Sequence, residues 1–278
     1  MKKFATFLLM MTLSVGSLFA QPQAFRDQVF FSHSVDGLTW GPATLLAEKA
    51  SVPDVLRTSK GIYWAYWVDF TNATGSRTEK IGIARSADGK SWEKLGTVQF
   101  TNLGSIVPVD PDVIELPDGR LRLYFFDIAQ NRGAHPIYSA TSLDGITYTV
   151  EPGIRFQLPE IFDPDVIKLS DGRYRMYLNN MGRILSATSS DGVNFAQDAG
   201  VRVNVMGSVP GSIVLPDGSV RLYTCTGGIS AFKSTDGLNF DLEKRDVIRG
   251  QSSEILCDPS VTVTPNGYLM VYKYNPGR

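Results

Sequence analysis

One hairpin pattern recurs five times along this chain and constrains its fold more than any other feature. Each copy has a proline, a glycine eight positions later and a tyrosine five positions after that, without insertion or deletion. In the copy at 162–177, a β-branched apolar run leads through Ser-Asp-Gly into a second alternating run, which is typical of a β-hairpin. The copies are Pro53/Gly61/Tyr66, Pro111/Gly119/Tyr124, Pro164/Gly172/Tyr177, Pro210/Gly218/Tyr223 and Pro259/Gly267/Tyr272.

A second motif, here called the turn box, alternates with the hairpins. It has serine, any residue, aspartate and glycine, then two residues and an aromatic. In such a turn the aspartate accepts hydrogen bonds from turn amides and the glycine takes a positive φ. We therefore expect the box aspartates to be structural and to lie at the outer rim, away from any chemistry. The box aspartates are Asp36, Asp88, Asp144, Asp191 and Asp236.

The order of the two motifs predicts how the fold closes. The chain begins with a turn box that no hairpin precedes, and it ends with a hairpin that no box follows. A repeat of about 50 residues built from short strands is typical of a β-propeller. Joining the two ends completes a fifth four-stranded blade and removes the open sheet edges. The sequence predicts an all-β, five-bladed β-propeller of antiparallel blades, one domain over 21–278, with blades at 52–107, 108–157, 158–205, 206–250, and 251–278 plus 22–48.

The first twenty residues have the pattern of a signal peptide. Lys2 and Lys3 form a positive start, 4–15 are apolar, and small residues precede Gln21. Cleavage is expected near Ala20, and the mature chain is expected to be secreted or periplasmic. The apolar run is short for a membrane anchor, and no later run is long enough to cross a bilayer.

Composition excludes several classes of partner and site. The net charge is −1 with acids and bases mixed along the chain, so neither nucleic acid nor an anionic membrane is an expected partner. With two histidines and two cysteines, a His/Cys zinc site is not expected. Cys225 and Cys257 are either a disulfide or two buried thiols. We expect a monomer.

The openings of strand A, the innermost strand of each blade, carry a concentration of acids. Propellers bind ligands at this end of the central channel, so the acids are expected to meet at one mouth. Like charges held so close need cations or shared protons, and such crowding is a mark of functional sites. These acids stand before the proline (Asp110, Asp163 and Asp258), after it (Asp54, Asp112 and Asp165), or in the loop leading to it (Glu160 and Glu254).

A structural interpretation of the same acids is open. Each carboxylate could cap a strand by accepting hydrogen bonds from amides of the neighbouring blade. The position after the proline is Gly211 in the fourth blade and Ser260 in the fifth. A residue needed by every blade would follow the repeat, so this variation favours a one-sided functional site at the position after the proline.

Three arginines hold equivalent places before a strand A. Arg155, Arg202 and Arg249 stand 9, 8 and 10 residues before the repeat proline of the next blade. Near a ring of acids they could bind a carboxylated or sulfated sugar, because guanidinium groups pair bidentately with such anions. Alternatively, they form ion pairs with the acids that flank the prolines.

The fivefold repeat and its acidic openings resemble the five-bladed propeller glycosidases, namely the arabinanase/β-xylosidase group (glycoside hydrolase family 43) and the related fructan hydrolases. The turn boxes resemble the Asp-boxes of sialidases, one residue shorter between Asp and Gly. The resemblance implies carbohydrate as the partner and no required cofactor. It also implies catalytic roles: Asp54 as base, Asp112 or Asp165 as the residue that tunes the acid, and Glu160 or Glu254 as the acid. Asp110, Asp163, Asp258 and the three arginines would then bind substrate.

Two functions remain open at this level. One is a secreted glycoside hydrolase with a carboxylic acid and a carboxylate base. The other is a non-catalytic glycan-binding or interaction propeller, whose acids hold a structural cation such as calcium. The chain departs from the family pattern where Val52 precedes the first proline, and its best Asp-Pro-Ser match is Asp258-Pro259-Ser260 in the last blade.

Overall fold

The computed structural model describes residues 26–74, 78–129, 134–205 and 208–277. These residues form five β-sheets of mainly antiparallel strands. The predicted fold class, an all-β five-bladed propeller, is confirmed. The predicted signal peptide at 1–20 lies outside the described residues.

The closing blade is built from both ends of the described chain, as the order of motifs predicted. Its strand order is β2-β1-β23-β22, and β1 pairs with β23 over seven residue positions, from Gln28 opposite Tyr274 to Ser34 opposite Tyr268. The two chain ends thus close the ring through backbone hydrogen bonds. Its strands are β1 (Gln28–Ser34), β2 (Thr44–Glu48), β22 (Ile255–Thr264) and β23 (Gly267–Asn275).

The other four blades follow one another along the chain, and we number them 1 to 4. Blade 1 has β3 (Ala50–Arg57), β4 (Tyr63–Asp69), β5 (Lys80–Ser86) and β6 (Glu93–Thr97). Blade 2 has β7 (Gln99–Thr101), β8 (Pro108–Glu115), β9 (Leu121–Asp127), β10 (Ala134–Ser142), β11 (Thr147–Val150) and β12 (Phe156–Pro159). Blade 3 has β13 (Phe162–Lys168), β14 (Tyr174–Asn180), β15 (Arg183–Ser189), β16 (Ala196–Gln197) and β17 (Val203–Asn204). Blade 4 has β18 (Gly211–Val214), β19 (Val220–Cys225), β20 (Ile229–Ser234) and β21 (Asp241–Ile248).

The innermost strands β22, β3, β8, β13 and β18 contact one another in that order and enclose the channel. Each opens near its proline on one face, here called the mouth, and runs to its hairpin turn on the opposite face. Because neighbouring strands are antiparallel, the turn boxes after the third strand of each blade also lie on the opposite face. The fold therefore separates the proline acids from the box aspartates.

The box aspartates are occupied by their own turns. Asp191 Oδ1 accepts the backbone N–H groups of Val193 at 2.8 Å and Asn194 at 2.9 Å, and the hydroxyl of Ser189 at 2.8 Å. These bonds hold the pKa of Asp191 well below its usual range. The other four boxes repeat the pattern, so the box aspartates serve the turns, as predicted.

Tyrosine side chains join successive blades. The buried hydroxyl of Tyr124 donates to the box carbonyl of Gly192 in the next blade at 2.7 Å. Tyr66, Tyr177 and Tyr223 make the same bond to the box of the following blade. The repeated tyrosine is therefore an inter-blade contact.

The closing blade departs from the repeat by one residue. In blade 1 the residue after the proline, Asp54, pairs with Tyr66, whereas in the closing blade the equivalent Ser260 pairs with Val271. The paired residues are thus 12 positions apart in blade 1 and 11 in the closing blade, although the proline, glycine and tyrosine have the same spacing in both sequences. A slip of one residue turns a strand's side chains to the other face. The predicted equivalence of Tyr272 with the other tyrosines is therefore wrong.

A disulfide joins Cys225 at the end of β19 to Cys257 in β22, with 5.0 Å between the Cα atoms. The bond links blade 4 to the closing blade. Of the two alternatives for these cysteines, a disulfide or two buried thiols, the structure has the disulfide. Among the described residues, no helix is long and apolar enough to cross a membrane.

Candidate functional site

Four of the five innermost strands have an irregular opening at their prolines. In the pairing of β3 with β4 the register jumps between Ser51 and Asp54, and the same jump occurs in blades 2 and 3 and in the closing blade. The residue before the proline has a left-handed backbone, with φ of 53° at Asp110, 51° at Asp163 and 50° at Asp258. Aspartate tolerates this conformation better than most residues. The local backbone thus gives a reason for aspartate before the proline.

The proline acids form two sets separated by a narrow neck. Asp110, Asp163 and Asp258, here called the mouth acids, precede their prolines. Asp54, Asp112 and Asp165, here called the channel acids, follow them and line a 350 Å³ space that opens towards the opposite face. Between the prolines the free space is about 20 Å³. The structure therefore does not bring all six carboxylates into one open pocket.

The channel acids tie neighbouring blades together. Asp54 Oδ2 accepts the backbone N–H of Val113 in the next blade at 2.9 Å, and its Oδ1 accepts the hydroxyl of Ser260 in the closing blade at 2.6 Å. Asp165 accepts the backbone N–H of Ser212 in blade 4 at 3.0 Å and also its hydroxyl. This is the capping arrangement of the structural interpretation.

Asp112 completes the series of channel acids. Its carboxyl group accepts the backbone N–H of Val166, and its Oδ2 is buried without a hydrogen-bond partner among the described residues. In blade 4 the position is glycine because a Cβ on Gly211 would lie 1.7 Å from the carbonyl oxygen of Pro259. The variation along the repeat, which suggested a one-sided site, therefore has a steric cause at this blade.

Burial dominates the protonation of the channel acids. It raises the pKa of Asp54 to about 7 and that of Asp165 to about 6, against the hydrogen bonds that they accept. Burial and the negative charges of Asp54 and Asp165 raise the pKa of Asp112 well above its usual range. Like charges in a narrow channel favour shared protons at neutral pH.

The mouth acids are coupled to one another. The backbone N–H of Asp163 donates to the Asp110 carboxyl group, and the two side chains are hydrogen-bonded. Asn179 Nδ2 donates to Asp163 Oδ2 at 3.1 Å. Asp258 forms an ion pair with Lys273, with 2.7 Å between Nζ and Oδ2, and both side chains are largely buried.

The protonation of Asp110 differs from that of Asp163. Burial, followed by the negative charges of Asp163 and Asp258, raises the pKa of Asp110 well above its usual range. Burial also raises the pKa of Asp163, to about 6, although the bond from Asn179 opposes the shift. Both carboxyl groups therefore hold their protons to higher pH than an ordinary aspartate does.

Asp110 also lines a pocket beside the channel mouth. The pocket has a volume of about 420 Å³ and lies between blades 1, 2 and 3. Phe70, Phe126 and Phe162 give it a mostly apolar wall, and its two carboxylates are those of Asp110 and Glu79. A mostly apolar pocket with a few convergent polar groups is the usual form of a small-molecule site.

Glu79 and His135 are the pocket residues that the sequence prediction missed. Glu79 Oε2 is buried and lacks a hydrogen-bond partner among the described residues. His135 is buried beside Phe162, and its Nδ1 lies 3.2 Å from the carbonyl oxygen of Ile161. Because a carbonyl only accepts, Nδ1 carries the proton and Nε2 of the neutral ring remains an acceptor. Glu79 and His135 lie outside both repeated motifs, so comparing the repeats gives no signal for them.

The two predicted glutamates are not placed with Asp110. Glu160 is exposed, and its backbone carbonyl oxygen accepts a hydrogen bond from Asn180. Glu254 accepts the backbone N–H of Gln251 at 2.7 Å and the hydroxyl of Tyr274 at 2.9 Å. Neither glutamate lines the pocket beside the mouth.

The three predicted arginines make their described contacts away from the proline acids. Arg155 donates to the carbonyl groups of Pro152 and Gly153 in its own turn. Arg202 donates to the carbonyl of Leu238 in a turn box at 2.8 Å. The expected pairing with the proline acids is therefore not found among the described residues. Arg249 is exposed and pairs with Asp246 at 2.9 Å.

The described residues offer no set of three carboxylate ligands for the calcium ion of the binding-propeller hypothesis. Among the described residues, the one group of potential metal ligands within reach of one another is Cys225, Cys257 and Asp258. Both cysteines of that group are bonded in the disulfide. A structural calcium ion therefore stays a prediction.

Comparison with known proteins identifies relatives by fold. No protein-family model matches the chain, and no curated protein matches it. Among solved structures, a GH43_1 enzyme from Xanthomonas citri is 15% identical with a TM-score of 0.64, covering 82% of this chain and 87% of that one. The endo-arabinase from Bacteroides thetaiotaomicron VPI-5482 is 16% identical with a TM-score of 0.61, covering 82% and 90%.

A third solved structure carries a different activity on a similar fold. It is an N-acetylgalactosamine deacetylase from F. plautii in complex with blood group B trisaccharide, 15% identical with a TM-score of 0.60, covering 79% of this chain and 77% of that one. At these identities the likeness concerns the fold. Function has to be argued from the site itself.

Proposed function

We propose that this protein is a glycoside hydrolase that acts in the pocket beside the channel mouth. The observation that carries the proposal is that two carboxyl groups, Asp110 and Glu79, line one mostly apolar pocket, and that burial and nearby negative charges raise the pKa of Asp110 well above its usual range. Glycoside hydrolysis needs one protonated carboxylic acid and one ionised carboxylate. The shared fold with a GH43_1 enzyme and an endo-arabinase supports this reaction class.

Asp110 is the general acid in this proposal. Its raised pKa keeps the proton on Asp110 to higher pH than on an ordinary carboxyl group, and this proton is the one donated to the oxygen of the leaving group. Asp163 lies next to it and disfavours its ionisation through negative charge. Asp163 is therefore the residue that tunes the acid, and Asp258, neutralised in part by Lys273, adds to the same effect.

Glu79 is the second carboxylate. With a buried oxygen that lacks a described partner, it is able to accept a proton from water or to contact the sugar directly. His135 Nε2 offers an acceptor for a sugar hydroxyl, and the phenylalanine rings offer apolar faces to the sugar. The pocket volume of about 420 Å³ is within the range of about 300–1,000 Å³ for small-molecule sites. The proposed substrate class is carbohydrate. In the same proposal the protein is exported, acts as a monomer and requires no cofactor.

The test is activity on a panel of aryl glycosides. We expect wild-type protein to release the aryl group from at least one substrate, and Asp110→Asn and Glu79→Gln each to lower kcat/KM by about 100-fold or more. Asp171→Asn is the matched control, because Asp171 lies in an exposed hairpin turn paired with Arg173. Melting temperatures should stay close to wild type.

Other outcomes separate the remaining possibilities. Loss of activity in Glu160→Gln, with Asp110→Asn unaffected, would return the role of the acid to the residue that the family resemblance suggested. Absence of turnover across the panel, with binding of the same sugars, would instead establish a glycan-binding propeller.

A further inference from the structure

We propose that the groove between the closing blade and blade 1, on the opposite face, binds an acidic saccharide through Arg57. This groove has a volume of about 710 Å³ and is lined by turn and box residues of the two blades. It lies at the far end of the strands from the mouth pocket. It is therefore a second site, independent of the proposed hydrolysis.

In blades 2, 3 and 4 the equivalent position is filled by an arginine that lies beside an acid, whereas blade 1 has Trp64 there. Arg122 of blade 2 donates to the Glu151 carboxylate at 2.9 and 3.0 Å, and its Nη1 donates to the box carbonyl of Gly192 in blade 3 at 3.3 Å. Arg221 of blade 4 makes the same contacts with Glu243 and with the box carbonyl of Asp36. Arg175 of blade 3 donates to the next box at 2.7 Å.

The closing blade has leucine rather than arginine at this place. Leu269 pairs with Thr262 at the place where Arg122 of blade 2 pairs with Ile114. The box carbonyl of Gly89 is instead approached by His33 Nε2 at 3.0 Å. The space that an arginine and its acid occupy elsewhere is therefore open in this groove.

The groove contains a cationic side chain, Arg57, with a hydrogen-bond donor that has no described partner. Arg57 Nε is buried without a hydrogen-bond partner among the described residues, and the guanidinium carbon lies 5.6 Å from the centre of the Tyr63 ring. Lys90 is a second, exposed cation in the lining. The lining carboxylate, Asp88, is committed through Oδ1 to the amides of its own turn. An arginine with free donors in a half-buried groove is suited to a carboxylate.

Aromatic side chains favour a sugar as the carrier of that carboxylate. Trp40 and Tyr268 are half-buried residues of the closing blade that line the groove, as Tyr63 beside Arg57 does from blade 1. Aromatic rings beside a cation suit a pyranose ring with an acidic substituent, since the rings offer apolar surface and the cation a bidentate partner. The ligand class is therefore an oligosaccharide that contains uronic acid.

Calorimetry with the purified full chain tests the proposal, with trigalacturonate as the acidic probe and xylotriose as the neutral probe. We expect trigalacturonate to bind and Arg57→Met to weaken it by about tenfold or more. Lys168→Met is the matched control because Lys168 has the same repeat position, stacks on Tyr174 at 5.8 Å, and borders a position that Arg122 fills. It should change the affinity by less than about twofold.

Binding is measured directly, so the result does not depend on whether the mouth pocket hydrolyses any sugar. The proposal is overturned if wild-type protein does not bind trigalacturonate, or if Arg57→Met and Lys168→Met weaken binding equally. Equal affinity for xylotriose would also overturn it, because the acidic group would then contribute nothing to binding. Equal affinity for an oligoglutamate peptide would overturn it as well, because a general anion site would then explain binding. Activity on aryl glycosides should be unchanged in Arg57→Met.

Discussion

The backbone N–H of Asp163 donates to the carboxyl group of Asp110, so two acids from neighbouring blades are held in contact at the mouth of the channel. The contact depends on the left-handed backbone that both residues adopt before their prolines. It places the charge of Asp163 where it opposes ionisation of Asp110. The pH dependence of the proposed activity depends on this arrangement.

The first prediction concerns the pH dependence of activity. If Asp110 is the acid, kcat/KM falls as pH rises through its raised pKa. Asp163→Asn removes a negative charge beside Asp110 and so lowers the pKa of Asp110. The alkaline limb of the profile should therefore move to lower pH. A limb that stays in place in Asp163→Asn would contradict the assigned role of Asp163.

The second prediction concerns stability and pH. Burial raises the pKa of Asp54 to about 7 in the folded state, so the folded chain holds this proton more tightly than the unfolded chain. Its contribution to stability is complete below about pH 4 and is lost as pH rises through about 7. Chemical denaturation should show a lower free energy of unfolding at pH 8 than at pH 5.

Asp54→Asn provides the variant for this second prediction. It should flatten the pH dependence between 5 and 8 by about 1–2 kcal/mol, since the buried group no longer ionises. Asp118→Asn is a control in an exposed turn, where bonds from Arg120 lower the pKa of Asp118. An unfolding free energy that rises from pH 5 to pH 8 would show that the channel acids ionise without cost.

The third prediction concerns the inter-blade tyrosines. Tyr177→Phe removes the donor to the buried carbonyl of Gly237, at 2.8 Å, and should lower the free energy of unfolding by about 1–2 kcal/mol. Tyr272→Phe should cost less than this, because the shifted register turns Tyr272 away from the equivalent carbonyl. Equal losses in the two variants, measured by urea denaturation, would contradict the shift.

The fourth prediction concerns the disulfide. Cys225 and Cys257 enclose a loop of 32 residues between blade 4 and the closing blade. Replacing both cysteines with serine should lower the free energy of unfolding by about 3 kcal/mol. The reason is that the unfolded chain gains conformational entropy when this loop is no longer closed. Alkylation under denaturing conditions before and after reduction would show whether the bond forms. Reactive thiols before reduction would contradict it.

The fold was predictable from the sequence because propeller blades repeat. The number of hairpins with constant proline, glycine and tyrosine spacing gives the number of blades. The turn box at the start and the hairpin at the end, each without its partner motif, predict the closing blade. The box aspartates were also predictable because their bonds lie within a few residues of each Asp-Gly pair. Such local contacts need no knowledge of the tertiary structure.

The candidate site was predictable only in part. The repeats predict that the proline acids lie at one end of the channel. The family resemblance gives catalytic roles to the channel acids and to Glu160 and Glu254, and in the structure Asp54 and Asp165 accept hydrogen bonds from neighbouring blades. Lys273 was missed because the one-residue shift conceals its equivalence with Asn179, and each contacts the mouth acid of its own blade. Constant spacing in sequence does not guarantee constant register in space.

The sequence by itself determined the number of blades, the closure of the ring, and which end of each strand carries the acids. The tertiary structure decided which acids face the mouth and which face the channel, because the jump in register at the prolines of blades 2 and 3 separates two aspartates only two positions apart. It also decided that Glu79 and Asp110 line one pocket, since they lie on different blades and their separation depends on how the blades pack. That packing is a property of the ring, and the repeat that predicts the ring contains no signal for the pair.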